Sequence, residues 1–471
     1  MNNRIEHHPD RLFPSDKTTR SIARNLYHSI KDLPIISPHG HTDPSWFSEN
    51  LSFDNPSSLL LTPDHYILRM LYSQGISFES LAIPSRAGPE NKTDPREAWN
   101  IFAANYHLFR GSPIRLWMNY VFKEVFDIDA ALNSDTAAYY YDSILAKLST
   151  ESFRPRALYD QFNIEVLATT DSPLDDLRHH KAIRESDWQG RILPSFRPDP
   201  VTDPDFEGFL NNIEKLGDIT REDTYCYQGY LSALRNRREF FITMGATATD
   251  HGNPTAFTAD LSKNDIGRLF NKALKNDLNP IEAEHFRGHM LTEMASMSHE
   301  DGLVMQIHPG SYRNHNNWIA GTYGRDKGAD IPMAAEYVQN LKPLLDKHGN
   351  NSSLTIILFT LDETTYSREL APLAGHYPAL KLGPAWWFHD SPEGMRRYRE
   401  QVTETAGFYN TVGFNDDTRA FLSIPARHDM ARRADCSFLA RLVADHRLSE
   451  TEAGELAQDL TYNLVKNAYN L

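Results

Sequence analysis

The chain has 471 residues, 40% apolar and 24% charged, which is ordinary for a globular enzyme with a large buried core. Its formal net charge of −15 opposes binding to nucleic acid or to an anionic membrane surface, because the summed field repels phosphate groups. The polar amino terminus and the two isolated cysteines, Cys226 and Cys436, predict a cytoplasmic protein without a disulfide framework or a thiolate metal site.

Short apolar runs bounded by Pro, Gly, Asp or Asn recur along the chain and predict eight strands. The runs are nearly continuous in apolar character, as expected of parallel strands covered on both faces, and helix-period segments separate most of them. We therefore predict an α/β fold of the (β/α)8 TIM barrel type. The predicted strands are residues 33–37, 164–170, 191–196, 240–247, 303–308, 354–361, 379–383 and 409–414.

The gap between the first two predicted strands exceeds a hundred residues, which is too long for a simple loop. Helical stretches at 64–76 and 114–126 indicate a helical subdomain inserted between these strands. A second long connection between strands, from about 250 to 301, is predicted to form two helices joined by a polar loop. The expected organisation is an N-terminal helical segment (1–32), the first barrel strand with a metal motif (33–45), a helical insertion (46–160) and the remainder of the barrel (161–471).

Ionisable, polar and tryptophan side chains that could bind a metal or a substrate follow the predicted strands. In a TIM barrel the carboxyl ends of the strands meet at one mouth, where the active sites of this fold lie. The residues at or after those ends are His39, His41, Thr169, Thr170, Asp171, Arg197, Asp199, Asp250, His251, His308, Arg313, Asn314, Asp362, Glu363, Trp386, Trp387, Asp416, Asp417 and Arg419.

The pair His39 and His41 directly follows the first predicted strand. Residues two apart on an extended chain point to the same side, roughly 7 Å apart, so both imidazoles can reach one divalent ion at about 2.1 Å. Asp416 or Asp417, after the eighth strand, lies next to the first strand in a closed barrel and can supply an acidic ligand. The alternatives are a surface histidine pair and an aspartate that only caps a turn.

Several segments resemble the motifs of uronate isomerases, members of the amidohydrolase superfamily. Their order matches across nearly the whole chain, and the WWF and TRAFLS stretches are specific. The segments are DHY (64–66), LATTDSP (167–173), LPSFRPD (193–199), MQIHPGSYRNHNN (305–317), WWFHD (386–390) and DDTRAFLSIPARHDM (416–430).

The resemblance implies interconversion of D-glucuronate with D-fructuronate and of D-galacturonate with D-tagaturonate. It also implies one divalent metal ion, often zinc, with His39, His41 and Asp417 as ligands. The chain departs from the pattern at Gly40, where many members carry Cys, and at Asn415-Asp416 before the aspartate ligand. These departures leave the ligands intact and leave the sugar preference open.

The family's remaining site positions fall on Tyr66 with its neighbour His65, on Arg197, on His308 and on Arg419. We expect His65 and His308 to bind substrate. A metal ligand and a buried, hydrogen-bonded histidine are the alternatives for His308. Trp386 is predicted to stack on the sugar, with closure of the barrel end as its alternative role.

Isomerisation moves a hydrogen between C2 and C1 through an enediolate, which requires a base, a proton donor and a positive group. Tyr66 and Asp417 are both candidates for the base, and Arg419 can lower the pKa of a neighbouring phenol or stabilise the enediolate. We favour Tyr66 for proton transfer and Asp417 as ligand and orienting base, while packing alone is the alternative for Tyr66. The substrate carboxylate calls for a guanidinium, and Arg197 and Arg313 are the candidates.

Two other functions compete with the isomerase. A metal-dependent hydrolase such as a lactonase could use the same histidine pair, but it usually adds a lysine after strand four or a histidine after strand six, and neither is present. A non-catalytic sugar-binding protein would have no use for the metal motif. The expected partner is a small-molecule sugar acid, and barrels of this size often form homo-oligomers.

Overall fold

The computed structural model describes residues 4–5, 7–88 and 93–471. Its short strands alternate with helices along most of the chain. The strands are β1 Ile35–Ser37, β2 Ile164–Ala168, β3 Arg191–Leu193, β4 Ala248–His251, β5 Val304–Ile307, β6 Ser311–Tyr312, β7 Ile331–Pro332, β8 Ile356–Leu358 and β9 Leu380–Leu382.

The α-helices surround the strands and fill the long connections. They are α1 Lys17–Ile30, α2 Pro44–Glu49, α3 Pro56–Leu60, α4 His65–Ser73, α5 Pro95–Asn105, α6 Pro113–Tyr120, α7 Ala137–Leu148, α8 Pro155–Gln161, α9 Arg178–Arg184, α10 Asp199–Thr202, α11 Phe209–Thr220, α12 Tyr227–Thr243, α13 Lys263–Ala273, α14 Pro280–Asp301, α15 Asn317–Tyr323, α16 Lys342–His348, α17 Ala371–Ala374, α18 Pro392–Ala406, α19 Ile424–Ala444, α20 Glu450–Gln458 and α21 Leu464–Ala468. Within the described part of the chain, no helix combines the length and apolar character that crossing a bilayer requires.

The parallel strands follow one another around a barrel. β1, β2 and β3 pair in that order, and β4, β5, β8 and β9 form a second parallel run. Phe196, just after β3, bridges to Thr249 in β4 and so joins the two runs. At the other side, Thr411 bridges to Leu382 in β9, and the His41 amide donates to the Thr418 carbonyl at 3.1 Å. The TIM barrel prediction is confirmed.

The predicted strand at 240–247 is wrong. The first half of this range, residues 240–243, is the end of α12, and the strand that occupies this place is β4, a few residues later. Phe241 is fully buried and packs edge-on against Phe196 at 5.1 Å between ring centroids, so the apolar run covers the barrel from outside. Gly245, with φ +98°, then turns the chain into β4. A short, fully apolar run has the same pattern in a buried helix and in a buried strand.

The eighth barrel position is irregular. Residues 409–414 were predicted as a strand, but the described pairing there is the single parallel bridge of Thr411. Gly413 has φ +77°, a left-handed conformation that interrupts an extended strand. The chain therefore reaches the closing side of the barrel as a loop with one strand-like contact.

Helices α2 to α8 lie between β1 and β2, where the long gap predicted helices. The predicted helix at 64–76 contains α4, and the one at 114–126 covers α6 except its first residue, together with the π-helical turn Val121–Val125 that follows. The division of the chain into domains stays a prediction. The two helices expected between 250 and 301 are α13 and α14, and α14 begins with a capping box in which Asn279 and Glu282 cap each other's backbone.

Candidate active site

A cavity of about 390 Å³ opens at the carboxyl ends of the barrel strands. That volume lies within the usual range for small-molecule sites, roughly 300 to 1,000 Å³. The predicted site residues His39, His41, His65, Tyr66, Arg197, His308, Arg313, Trp386, Asp417 and Arg419 all contribute to its lining. Residues from distant parts of the sequence thus converge on one space, as the barrel geometry requires.

His39, His41 and Asp417 meet at the seam of the barrel. Oδ1 of Asp417 lies 3.4 Å from Nε2 of His39 and 3.2 Å from Nε2 of His41. One ligand atom from each of the three residues lies within 4.8 Å of the others. Asp417 has φ +38°, an unusual conformation for a residue with a side chain, and such strain is concentrated at functional sites.

A second group of ligand-type side chains shares His39. Asp250, His308 and His39 also offer one ligand atom each within 4.8 Å, and all three are buried. Nδ1 of His308 lies 2.7 Å from Oδ1 of Asp250, yet neither atom has a partner of hydrogen-bond geometry in the described chain. Buried atoms of this kind are costly unless something else binds them. Nitrogen and oxygen donors on both sides of His39 fit a divalent metal ion.

Asp416 does not take part in either group. Its Oδ2 lies 3.0 Å from Nε2 of His428, on α19, and both side chains are buried. Gly40, between the two histidines, has room for a Cβ atom, with Oδ1 of Asp416 at 3.8 Å and the nearest backbone oxygens at 3.5 Å. The departure at Gly40 therefore leaves the placement of the two imidazoles unaffected.

Burial and nearby carboxylates set the charge states of the histidines. Burial alone would lower the pKa of His39, but the carboxylates of Asp417 and Asp250 outweigh it, so its pKa is raised. Burial lowers the pKa of His41 despite its contact with Asp417. Burial, together with the Arg419 charge, lowers the pKa of His65 to about 3. His65 is therefore neutral at pH 7.

Trp386 and Trp387 have different contacts. Nε1 of Trp386 donates a hydrogen bond to Oδ2 of Asp417, which orients that carboxylate. The Trp386 ring also packs edge-on against His308, with centroids 4.6 Å apart. Trp387 instead stacks on His65, at 5.1 Å and an interplanar angle of 7°. The tryptophan predicted to stack on the sugar thus contacts the carboxylate at the seam.

The predicted arginines are already engaged with carboxylates. Arg197 lies 2.8 Å from Asp199 and 3.0 Å from Asp250. Arg313 pairs with Asp330 at 3.0 Å and lies over the Trp387 ring.

Arg419 and Asp326 form another ion pair, 3.2 Å long, at the cavity. Sequence reasoning missed Asp326 and its neighbour Arg325. Arg325 also lines the cavity and stacks over Phe206 at 4.7 Å, and it has no ion pair within the described residues. Both residues lie in the connection between α15 and β7, so they do not follow a barrel strand directly.

Tyr66 belongs to a buried chain of polar groups. Its hydroxyl donates to Oδ1 of Asp390 at 2.8 Å, and Oδ2 of Asp390 accepts from Arg427 at 2.9 Å. Burial and the Asp390 charge raise the pKa of Tyr66 well above its ordinary value. Asp390 and Arg427 were not among the predicted site residues, although Asp390 ends the motif segment WWFHD and Arg427 lies in DDTRAFLSIPARHDM.

Comparisons with known proteins agree over nearly the full length. The family model described as Glucuronate isomerase matches residues 16–469. The uronate isomerase of Phenylobacterium zucineum is 63% identical over 464 residues, 98% of this chain and 96% of the relative. The crystal structure of glucuronate isomerase from Caulobacter crescentus has a TM-score of 0.98 at 61% identity and covers 99% of this chain and 97% of that one. The uronate isomerase structure from Thermotoga maritima has a TM-score of 0.92 at 27% identity, with coverages of 98% and 99%.

Proposed function

The chain belongs to the glucuronate isomerase family, and we propose on that premise that it interconverts D-glucuronate with D-fructuronate and D-galacturonate with D-tagaturonate. The observation that carries the proposal is the meeting of His39, His41 and Asp417 within 4.8 Å of one another in the barrel-mouth cavity. These residues come from the two ends of the chain, and the closed barrel is what brings them together.

We propose that one divalent ion is held by His39, His41 and Asp417. Two imidazole nitrogens and a carboxylate oxygen form a donor set that suits zinc and leaves a position open for substrate. When bound, the metal polarises the carbonyl and hydroxyl oxygens of the open-chain sugar. His308 and Asp250 border the same space, and their atoms without hydrogen-bond partners support a cation beside His39.

The substrate carboxylate is bound by guanidinium groups at the outer part of the cavity. Arg325 is the best-suited of these, because no carboxylate of the described chain pairs with it. Arg313, half-buried beside Trp387, can form a second contact while it keeps Asp330. Arg197 already contacts two carboxylates, so its more direct effect is to hold Asp250 in place.

The observed contacts separate the roles of Tyr66 and Asp417. Tyr66 uses its only proton on Asp390 and has a raised pKa, so it stays a phenol and is a poor first acceptor for the C2 proton. Asp417 is held by Trp386 and two imidazoles and lines the cavity, and it makes no hydrogen bond to Asp390 or Tyr66 that would occupy it as Tyr66 is occupied. We assign the C2-to-C1 transfer to Asp417 and proton exchange with the substrate oxygens to Tyr66.

The hydrolase alternative is not favoured. The relatives that match nearly the whole chain are uronate isomerases by name. The cytoplasmic location and self-association stay predictions.

The activity is tested by incubating the metal-loaded protein with D-glucuronate or D-galacturonate and following the ketose by NMR. Glucose and a uronolactone serve as controls for the carboxylate and for hydrolysis. We expect ketose from both uronates, and His39→Ala and Asp417→Asn should abolish it while the fold is retained. His28→Ala, on the exposed face of α1, is the matched control. Lactone hydrolysis without isomerisation, or full activity of Asp417→Asn, would contradict the proposal.

A further inference from the structure

Tyr66, Asp390 and Arg427 form a buried line of hydrogen bonds at one wall of the cavity. All three contribute to the cavity lining, and they are 7%, 8% and 3% exposed. They come from α4, from the loop before α18 and from α19. Because these elements are far apart in the sequence, the line exists only in the folded barrel.

The direction of each hydrogen bond follows from the chemistry of the groups. A guanidinium only donates, so Oδ2 of Asp390 accepts from Arg427. Paired with that permanent charge, Asp390 is a carboxylate and accepts at Oδ1 as well, so the Tyr66 hydroxyl is the donor. The Phe388 amide donates to the Tyr66 oxygen at 3.3 Å. The Tyr66 proton is therefore used on Asp390, and Tyr66 can meet a substrate hydroxyl only through its oxygen, as an acceptor.

Arg427 is held in place independently of Asp390. Its Nε lies 3.2 Å from Oγ of Ser423, one nitrogen lies 3.3 Å from the Asp416 carbonyl, and the guanidinium stacks over Trp117 at 3.6 Å. The other charged groups around the line are Asp64, at the start of α4, Asp416, whose charge acts on Arg427, and Arg69, over the Phe388 ring at 4.6 Å.

We propose that Asp390 is a positioning residue that makes Tyr66 a relay for the oxygen-bound proton of the substrate. This proposal rests on the proposed isomerase function. Isomerisation moves two hydrogens: one passes from C2 to C1, and one passes from O2 to O1. As the O2–H bond breaks, its proton bonds to the Tyr66 oxygen and the Tyr66 proton moves to Asp390. As O1 takes up a proton from Tyr66, Asp390 returns its proton to the phenol.

The Asp390→Asn substitution would reverse the direction of the hydrogen bond between position 390 and Tyr66. Arg427 has no acceptor, so the amide must turn its oxygen to Arg427 and its NH2 group to Tyr66. The Tyr66 oxygen then accepts from position 390, and its proton must point elsewhere. Asp390→Asn therefore keeps the shape of the side chain while it removes the relay.

A double-mutant cycle tests the proposal with D-glucuronate as substrate. We expect Tyr66→Phe and Asp390→Asn each to lower kcat by about 100-fold, at the lower end of acid–base effects, with KM changed by less than about threefold. If Asp390 acts only through Tyr66, the double variant is no slower than Tyr66→Phe alone. Multiplication of the two losses would overturn the proposal, as would wild-type kcat in either single variant.

The chain offers a matched control outside the cavity. Tyr27 donates to Asp429, and Arg433 lies 2.9 Å from Asp429 and stacks over the Tyr27 ring at 4.1 Å. Tyr27→Phe and Asp429→Asn should leave kcat unchanged. An equal loss of kcat in these variants would show that disturbing any such triad slows the enzyme, and would overturn the specific role of Asp390.

Two further measurements cover a variant that does not fold and a wild-type protein that is inactive. If Asp390→Asn does not fold, the same cycle is run with Asp390→Glu, which retains the carboxylate, and its loss of kcat must disappear when Tyr66 is Phe. The wild-type protein is assayed first. Absence of ketose from the wild type refutes the isomerase function itself, whereas an active wild type with independent losses refutes only the relay.

Discussion

Removing the indole N–H of Trp386 is expected to weaken metal binding by a predictable amount. The Trp386→Phe substitution keeps an aromatic ring beside His308 and Phe359 and deletes the donor to Asp417. Hydrogen bonds to charged groups contribute about 1.5–3 kcal/mol, which corresponds to a factor of roughly 10 to 150 in affinity. Groups that orient a metal ligand typically change affinity by about 10- to 100-fold. The two ranges agree.

The assay is a competition between the protein and a chelator of known zinc affinity. Trp387→Phe is the matched control, because that residue loses the same ring volume but stacks on His65 and makes no hydrogen bond to Asp417. We expect at least a tenfold weaker zinc affinity for Trp386→Phe and an unchanged affinity for Trp387→Phe. Equal affinities for the wild type and Trp386→Phe would refute the idea that Trp386 orients a metal ligand.

Three further predictions follow from other residues. Burial raises the pKa of Asp171 from 3.8 to about 7, so the folded protein binds this proton more tightly than the unfolded chain, and the free energy of unfolding falls as pH rises from about 4 to 7. The Asp171→Asn substitution should remove this fall, which is worth roughly 4 kcal/mol. Identical pH profiles of thermal unfolding for the wild type and the variant would contradict the prediction. Gly413→Ala places a Cβ 2.5 Å from the Leu460 carbonyl at φ +77° and should lower the free energy of unfolding, measured with denaturant, by about 2–5 kcal/mol. The control Gly302→Ala should lower it by about 1 kcal/mol, because Gly302 has a similar φ of +80° but nothing within 4 Å of the added Cβ. Equal losses in the two variants would show that the clash at position 413 is absent. Arg325→Met should raise KM for uronates by at least about tenfold with little change in kcat. The control Arg396→Met, on α18, should leave KM unchanged. An unchanged KM in Arg325→Met would exclude Arg325 as a ligand of the substrate carboxylate.

The barrel and the histidine pair could be predicted because their signals are local. His39 and His41 follow an apolar strand directly, and closure of a barrel brings its first and last strands together whatever lies between them. For the same reason barrel closure predicts an acidic ligand at Asp416 or Asp417, and the family resemblance selected Asp417. The structure adds that the Asp416 carboxylate lies 3.0 Å from His428 on α19.

Other features depended on contacts that no local pattern carries. The apolar end of α12 was taken for a strand, because only its packing on Phe196 shows that it lies outside the barrel. Arg197 and Arg313 stay predicted ligands of the substrate carboxylate, but nothing in the sequence indicates that Asp250 pairs with Arg197 and Asp330 with Arg313. Arg325 became a candidate only through its place on the cavity wall.

The most direct test of the metal site is anomalous scattering from a crystal of the zinc-loaded protein. We expect one peak at the zinc edge about 2.1 Å from a ring nitrogen of His39, a ring nitrogen of His41 and a carboxylate oxygen of Asp417. A peak elsewhere on the chain, or none at the barrel seam of a protein that converts D-glucuronate, would contradict the proposed metal site.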